Sequence, residues 1–369
     1  MQKTVGVTVG KFMPLHKGHE LMIEMAASQL DELIVIVSSA SSTYYGMISS
    51  LDHRYNIIKE KYAGRNITVV KYSDDIGDPI EVDVHGTATD NSFWESWINV
   101  FKILAPDATH FVSSDRYGKQ AAKRMGITWL AIDPDRELVD ISATRIRANP
   151  IKEWQYIAKE FRPDYVTTVV VVGPESCGKS TLVKDLGKAW GSPAVPEYGR
   201  IMTEIIGDGA WEIEHFYEIV RRQQAMNKIA AQQSTNGLVF IDTEAYTTAL
   251  YAIEYLNANS ETLRSMSSHE RFDLVIVVSP NLPWVDDGSR VMPDQDKRKA
   301  FFEMMLNRFD LCHPYGLMQP LGYCPVGKRL YDNAVILCET DRAKRVTIAS
   351  TKVSDMLAAP KKYDISHLT

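Results

Sequence analysis

Two stretches decide how this chain divides: Thr4-Val-Gly-Val-Thr-Val-Gly-Lys-Phe-Met-Pro-Leu-His-Lys-Gly-His-Glu20 and Val166-Thr-Thr-Val-Val-Val-Val-Gly-Pro-Glu-Ser-Cys-Gly-Lys-Ser-Thr-Leu182. Each is an apolar run of strand character that enters a glycine-bearing turn and then a helical pattern. Working outward from the first, apolar strand candidates follow at 5–9, 33–37, 67–70, 110–112 and 128–132. Helical patterns lie between them at 20–30, 51–62, 92–104 and 119–125. From the second stretch, strands follow at 168–172, 238–241, 274–278 and 334–337, with a helix over 297–311 whose Phe301, Met305 and Phe309 recur at core spacing. Continuous apolar strands alternating with helices predict parallel sheets covered on both faces. The segment 159–166, Lys-Glu-Phe-Arg-Pro-Asp-Tyr-Val, is the connector, because proline and charge end one helical stretch before the next strand begins. Two α/β domains in tandem are expected, residues 1–158 and 159–369.

Composition narrows the class. At 369 residues the chain is too long for one comfortable core, and 45% hydrophobic with 24% charged residues is ordinary globular usage. The formal net charge is −6, which gives no basic footprint for general nucleic-acid binding. Four cysteines without a CxxC pair do not make a disulfide scaffold, and Cys312, His313 and Cys324 are a conceivable but poorly spaced zinc set. The chain enters strand pattern at once, and no apolar run approaches the ~20 residues that span a bilayer. A cytoplasmic protein with small-molecule ligands, no membrane and no nucleic-acid partner is expected; a homo-oligomer is left open.

The second stretch satisfies G-x-x-x-x-G-K-[ST] from Gly173 to Ser180, after a strand and before a helix. Phosphate oxygens need several short hydrogen bonds at once, and only a backbone curled through glycines can crowd enough N–H groups around them. Lys179 should reach the outer phosphates of ATP and the Ser180 hydroxyl should ligate Mg²⁺; Glu175, Ser176, Cys177, Gly178 and Thr181 complete the cradle. Asp242 ends an apolar strand, where a P-loop fold places its magnesium or substrate carboxylate; it could equally cap the helix beginning near Ala245. Glu197, in Val195-Pro-Glu-Tyr-Gly-Arg200, could take the proton of an attacking hydroxyl or cap a helix, with Tyr198 beside it. Trp284 opens a polar loop ending at Arg290, with Arg298 beyond. Either arginine could neutralise a migrating phosphoryl group, or the loop could be plainly solvated.

In the first stretch His16 and His19 stand three apart at the start of a helix and can present both imidazoles to one point, where a phosphorus centre in displacement gathers negative charge. The second cluster, Ile141-Ser-Ala-Thr-Arg-Ile-Arg147, offers a helix cap at Ser142 with Thr144 and Arg147 as anion donors.

G-x-F-x-P-x-H-x-G-H followed by I-S-x-T-x-x-R resembles the signature pair of the nucleotidylyltransferase superfamily. The tandem with a P-loop domain carrying Pro283-Trp-Val-Asp-Asp-Gly-Ser-Arg290 resembles the bifunctional nicotinamide-nucleotide adenylyltransferase/ribosylnicotinamide kinases over nearly the whole chain. That resemblance implies a Rossmann-like nucleotidylyltransferase domain followed by a P-loop kinase. It also implies phosphorylation of nicotinamide riboside to NMN and adenylylation of NMN to NAD, with ATP as co-substrate of both steps and Mg²⁺ as cofactor. It assigns Gly10, Lys11, Phe12, His16, His19, Ser142, Thr144 and Arg147 to ATP, Asp115 and Tyr117 to a nucleotide-contacting loop, and Trp94 or Trp97 to a nicotinamide platform. Both tryptophans also fit core packing. Many bacterial members carry a helix-turn-helix repressor segment ahead of strand one, which is not expected here. Two rival readings remain: a nucleotidylyltransferase with a regulatory ATP-sensing P-loop domain, and a non-enzymatic NAD-responsive regulator.

Overall fold

The computed structural model describes residues 3–39, 49–73, 91–207, 209–285, 292–308 and 334–358. Arg290, Phe309, Cys312, His313 and Cys324 lie outside these residues. The chain falls into two compact units that divide between Tyr165 and Val166, within the expected connector.

The first unit runs β1 (Val5–Gly10), α1 (Lys17–Gln29), β2 (Glu32–Ser38), α2 (Leu51–Lys61), β3 (Ile67–Tyr72), α3 (Asn91–Leu104), β4 (His110–Ser113), α4 (Tyr117–Met125), β5 (Thr128–Ala131), α5 (Ala143–Ala148) and α6 (Arg162–Tyr165). Its sheet is parallel in the order β3-β2-β1-β4-β5, so the first strand is central, flanked by β2 and β4. One face packs Val5, Val7, Ile34 and Ile36 against Trp94, Ile98 and Phe101 of α3 and Ala121 and Ala122 of α4.

The second unit runs β6 (Thr167–Val172), α7 (Lys179–Trp190), β7 (Ala194–Val195), α8 (Tyr198–Ile206), α9 (Ile213–Gln233), β8 (Leu238–Asp242), α10 (Ala245–Leu256), α11 (Glu261–Ser268), β9 (Leu274–Val278), α12 (Gln295–Arg308), β10 (Ala334–Leu337) and α13 (Arg342–Ala358). The order β10-β9-β6-β8-β7 again puts the opening strand in the centre. In β6 the side chains alternate between two cores. Val169 and Val171 join α7 and α13, while Val170 and Val172 join Leu250, Phe301 and Met305. Both faces being apolar, the strand reads as an unbroken valine run rather than an alternation. Phe301 and Met305 are core residues, as their spacing requires.

In an open parallel sheet the connections leave opposite ways on either side of the central strand, which opens a crevice at its carboxyl end. The loops after β1 and β6 occupy those two positions. Close packing holds the neighbouring elements to tight tolerances. A Cβ on Gly118 of α4 would come within 1.9 Å of Ser113 Oγ and 2.8 Å of Trp129 Nε1, atoms that are hydrogen-bonded to each other at 3.0 Å. Gly118→Ala should therefore cost roughly 1–3 kcal/mol by overpacking, read as a lowered Tm in thermal unfolding; an unchanged Tm would mean that this approach is looser than described.

Candidate active sites

In the first unit the loop from Gly10 to His19 is shaped by its own side chains. Phe12 is buried at φ 49°, a left-handed conformation that few non-glycine residues adopt, and its ring meets His19 edge-on at 4.9 Å. His16 caps α1: its Nδ1 accepts the His19 backbone N–H at 3.4 Å, which leaves the ring proton of the neutral imidazole on Nε2. The two imidazoles stack with centroids 3.7 Å apart. His19 Nδ1 is buried and accepts no hydrogen bond. The antiparallel bridge between His16 and Ile157, and the Ala158 N–H donated to the Leu15 carbonyl, hold the loop from behind.

Ser142 caps α5 through the Arg145 N–H, as its position in the sequence suggests. The two arginines of this cluster separate in role. Arg145 is taken up by Glu153 and Asp140. Arg147 donates to the Met13 carbonyl at 2.7 Å and to Thr144 Oγ1 at 3.1 Å, which brings the second cluster onto the histidine loop. Arg136, which sequence reasoning missed, donates to Asp115 Oδ1 at 3.2 Å, and its charge acts on both histidines. A second pair, Arg116 with Asp135, joins the same two loops.

Of the two tryptophans offered as a nicotinamide platform, only Trp94 is buried. Trp94 is 3% exposed and sits in the core between α3 and the sheet, with Tyr117 against it. Trp97 is half-buried against Tyr72 and Phe101. Burial withdraws Trp94 from a ligand face, while Trp97 and Tyr117 are partly exposed.

In the second unit Gly178 stands at φ 80°, where a side chain would be strained, and a Cβ there would also press on the Arg345 guanidinium at 3.0 Å. A Cβ on Gly173 would lie 2.6 Å from the Val278 carbonyl. Lys179 is buried and its ammonium closes over the loop onto the Pro174 carbonyl at 2.9 Å. Glu175 accepts the Met292 N–H at 2.8 Å, and Ser176 shares hydrogen bonds with Val285. Arg345 of α13, another residue without a sequence signal, donates to the Cys177 carbonyl at 2.8 Å and braces the loop from outside.

The capping alternatives resolve. Glu244, not Asp242, caps α10, accepting the N–H groups of Tyr246 and Thr247. Asp242 is buried, and its Oδ2 accepts no hydrogen bond. Glu197 stands at the N-cap position of α8 but makes no capping bond. Burial raises the pKa of both carboxyls, against the pull of Lys179. On Lys179 the burial works the other way, yet Cys177, Glu197 and Asp242 outweigh it and hold the ammonium charged.

Beside the loop opens a cleft lined at one end by Lys179, Glu197 and Arg200 and at the other by Trp211, Phe216 and Tyr255. The Trp211 and Tyr255 rings meet edge-on at 5.0 Å. Sequence reasoning missed this aromatic end, for which the one available signal is Tyr251 and Tyr255 four apart on one helix. Tyr198, expected near a ligand, instead packs against α9, its N–H donated to Gln223. Trp284 is not part of the cleft wall. Arg298 is buried and tied to the Leu282 carbonyl and Gln295, so it braces its loop rather than reaching a phosphate.

Among the described residues no three His, Cys, Asp or Glu side chains gather as a metal cluster, and no helix is long and apolar enough to cross a membrane. Ser180 and the open oxygen of Asp242 nevertheless suit Mg²⁺, which takes one or two protein oxygens and completes its shell with phosphate and water.

The Cytidylyltransferase-like family matches residues 7–149, and the AAA domain family matches residues 168–315. The trifunctional NAD biosynthesis/regulator protein NadR of Salmonella typhimurium is 31% identical over 322 residues, covering 83% of this chain and 76% of that one. The chain belongs to the NadR family. A crystal structure of a NadR protein in complex with NR superposes with a TM-score of 0.74 at 25% identity over 97% of both chains. A second, with NAD and AMP-PNP, gives 0.71 at 25% identity over 98% of both. The NadR family thus carries its two nucleotide chemistries on the two sheets described above, a nucleotidyltransferase unit and a P-loop kinase unit.

Burial, the neighbouring imidazole and the Arg136 and Arg147 charges push the His16 pKa far below its ordinary value, and burial with Arg136 lowers His19 to about 3. The unfolded chain, with histidines near 6.5, binds protons that the folded chain does not. Stability of this unit therefore falls as pH drops below 6.5; His19's share of the loss is complete once pH passes its folded value, and His16's continues below that. Imidazole ¹⁵N shifts of both residues should stay those of the neutral ring down to about pH 5; a midpoint near 6.5 for either would contradict the burial described.

Proposed function

We propose that the protein makes NAD from nicotinamide riboside in two ATP-dependent steps, one in each unit. The observation that carries this reading is the second cleft, where a P-loop lysine, the Glu197 carboxylate with its pKa raised by desolvation, and an aromatic pocket meet around one space. A riboside fits there with its cationic pyridinium ring among Trp211, Phe216 and Tyr255. Its 5′-hydroxyl then points toward Glu197. Glu197 takes the hydroxyl proton as the oxygen attacks the γ-phosphorus of ATP and ADP leaves, while Lys179 holds the phosphate charge. A carboxyl with its pKa raised by burial is a better base near neutral pH than an ordinary one. Ser180 and Asp242 would hold Mg²⁺, which supplies charge neutralisation at the phosphates when bound. The division of labour between the carboxylates follows from position: Glu197 lines the riboside cleft, and Asp242 lies by Ser180.

In the first unit the NMN phosphate oxygen attacks the α-phosphorus of a second ATP, the bond to the β-phosphate breaks, and pyrophosphate leaves. That nucleophile is ionised at neutral pH and needs no base. The work left to the protein is to hold charge. The His16 Nε2–H, with Arg147 and Lys11 on the same loop system, provides fixed donors for the oxygens of the reacting phosphates. Neutral imidazoles serve this purpose, since a hydrogen bond rather than a proton is what they donate.

The two sites should fail separately. Lys179→Ala should lower riboside phosphorylation by roughly 10²–10³-fold and leave NAD formation from supplied NMN unchanged. His19→Ala should do the reverse, by a similar factor. Riboside-dependent ADP release would also exclude a purely regulatory P-loop unit. Loss of both activities in either folded variant would contradict independent sites.

A further inference from the structure

The least expected residue of the first unit is Arg54, on α2. Its side chain is fully buried at 0% exposure. It donates to three backbone carbonyls: Lys11 in the histidine loop, Ser38 at the end of β2 at 3.0 Å, and Ser49 ahead of α2 at 3.3 Å. Among the described residues no carboxylate pairs with it, and its Nη2 is buried with no partner. Among the described residues the titratable side chain whose field reaches it is the phenol of Tyr165.

A guanidinium keeps its charge even when buried. Taking such a charge out of water without an opposing one is among the most costly choices a fold can make. Three carbonyls satisfy part of its hydrogen bonding but none of its charge. Tying three carbonyls together is a task that neutral side chains or backbone N–H groups perform elsewhere in the molecule, as Asn66 does for Ala27 and Leu30. What the arginine adds is a fixed positive charge directly behind the loop that presents Lys11, His16 and His19.

We propose that Arg54 is a positioning residue of the first unit's ATP site, and that the negative charge balancing it is the triphosphate bound on the loop it fixes. The proposal rests on the adenylyltransferase reading above. By holding the Lys11 carbonyl, Arg54 sets where the Lys11 backbone turns into the motif, and its charge deepens the positive potential at the phosphates in a region of low dielectric. Among the described residues nothing balances this charge in the ligand-free protein, and binding of the polyanion supplies the balance.

The test compares Arg54→Met with Arg54→Lys in the full chain, measuring NAD formation from NMN and ATP, inhibition by pyrophosphate, and riboside phosphorylation as the internal check on folding. Arg54→Met should raise KM for ATP and weaken pyrophosphate inhibition by roughly 10- to 100-fold, the scale of a lost charge-assisted interaction. Riboside phosphorylation should not change. Arg54→Lys, which keeps the charge and loses the three-carbonyl geometry, should recover most of the pyrophosphate affinity that Arg54→Met loses. If Arg54→Met does not fold, Arg54→Gln makes the same comparison. Equal behaviour of the Lys and neutral variants, or a loss of kcat alone that tracks a lowered Tm, would overturn the proposal and leave Arg54 a strut. Absence of NAD from the unaltered protein would instead overturn the adenylyltransferase reading, so the two failures are distinguishable.

Discussion

A phosphate chain concentrates more negative charge than any single side chain can hold, and the whole molecule is arranged around meeting it twice. Each unit places its anion-binding loop after the central strand of a parallel sheet, β1 in one and β6 in the other. Parallel pairing fixes this. It brings every strand's carboxyl end to the same edge, and the reversal of connections beside the central strand leaves the one crevice there. Covering helices then keep the sheet dry, so the donors at its edge act in a medium where charge counts for more than in water.

The two loops answer the same demand by different means. The second unit curls backbone through Gly173 and Gly178, positions where a side chain would collide or be strained, and closes Lys179 over the top. The first uses side chains: a stacked histidine pair, oriented by helix capping, with Arg147 delivered from 134 residues away in sequence. Both are braced from behind by a buried arginine bonded to a loop carbonyl, Arg54 to Lys11 and Arg345 to Cys177. Such braces let a loop keep the shape its ligand requires before the ligand arrives. The acidic net charge of −6 is no obstacle, because the phosphates meet local donors rather than the protein's average field.

Much of this was legible in the sequence. Unbroken runs such as Val169–Val172 are buried on both faces and declare a parallel strand directly. The histidine motif and the P-loop carry their chemistry in their spacing. What sequence could not settle was which polar residue near a helix start serves as its cap. Asp242 and Glu197 both qualified, and only the structure shows Glu244 doing one task while Asp242 keeps an unbonded oxygen and Glu197 makes no capping bond. Aromatics were ambiguous for a similar reason. Trp94 and Tyr255 each lie at helical spacing, yet one faces the core and the other a cleft, since the partner elements that decide this are far away in sequence. Arg54, Arg136 and Arg345 had no signal, because an arginine bonded to carbonyls or to a distant aspartate looks like any surface arginine until the chain is folded.

The most direct measurement is a time course of products formed by the intact protein from nicotinamide riboside, ATP and Mg²⁺. The account predicts that NMN and ADP appear first and that NAD and pyrophosphate follow at the expense of NMN. NMN that accumulates without NAD, or NAD formed only from added NMN, would contradict a protein that carries both steps.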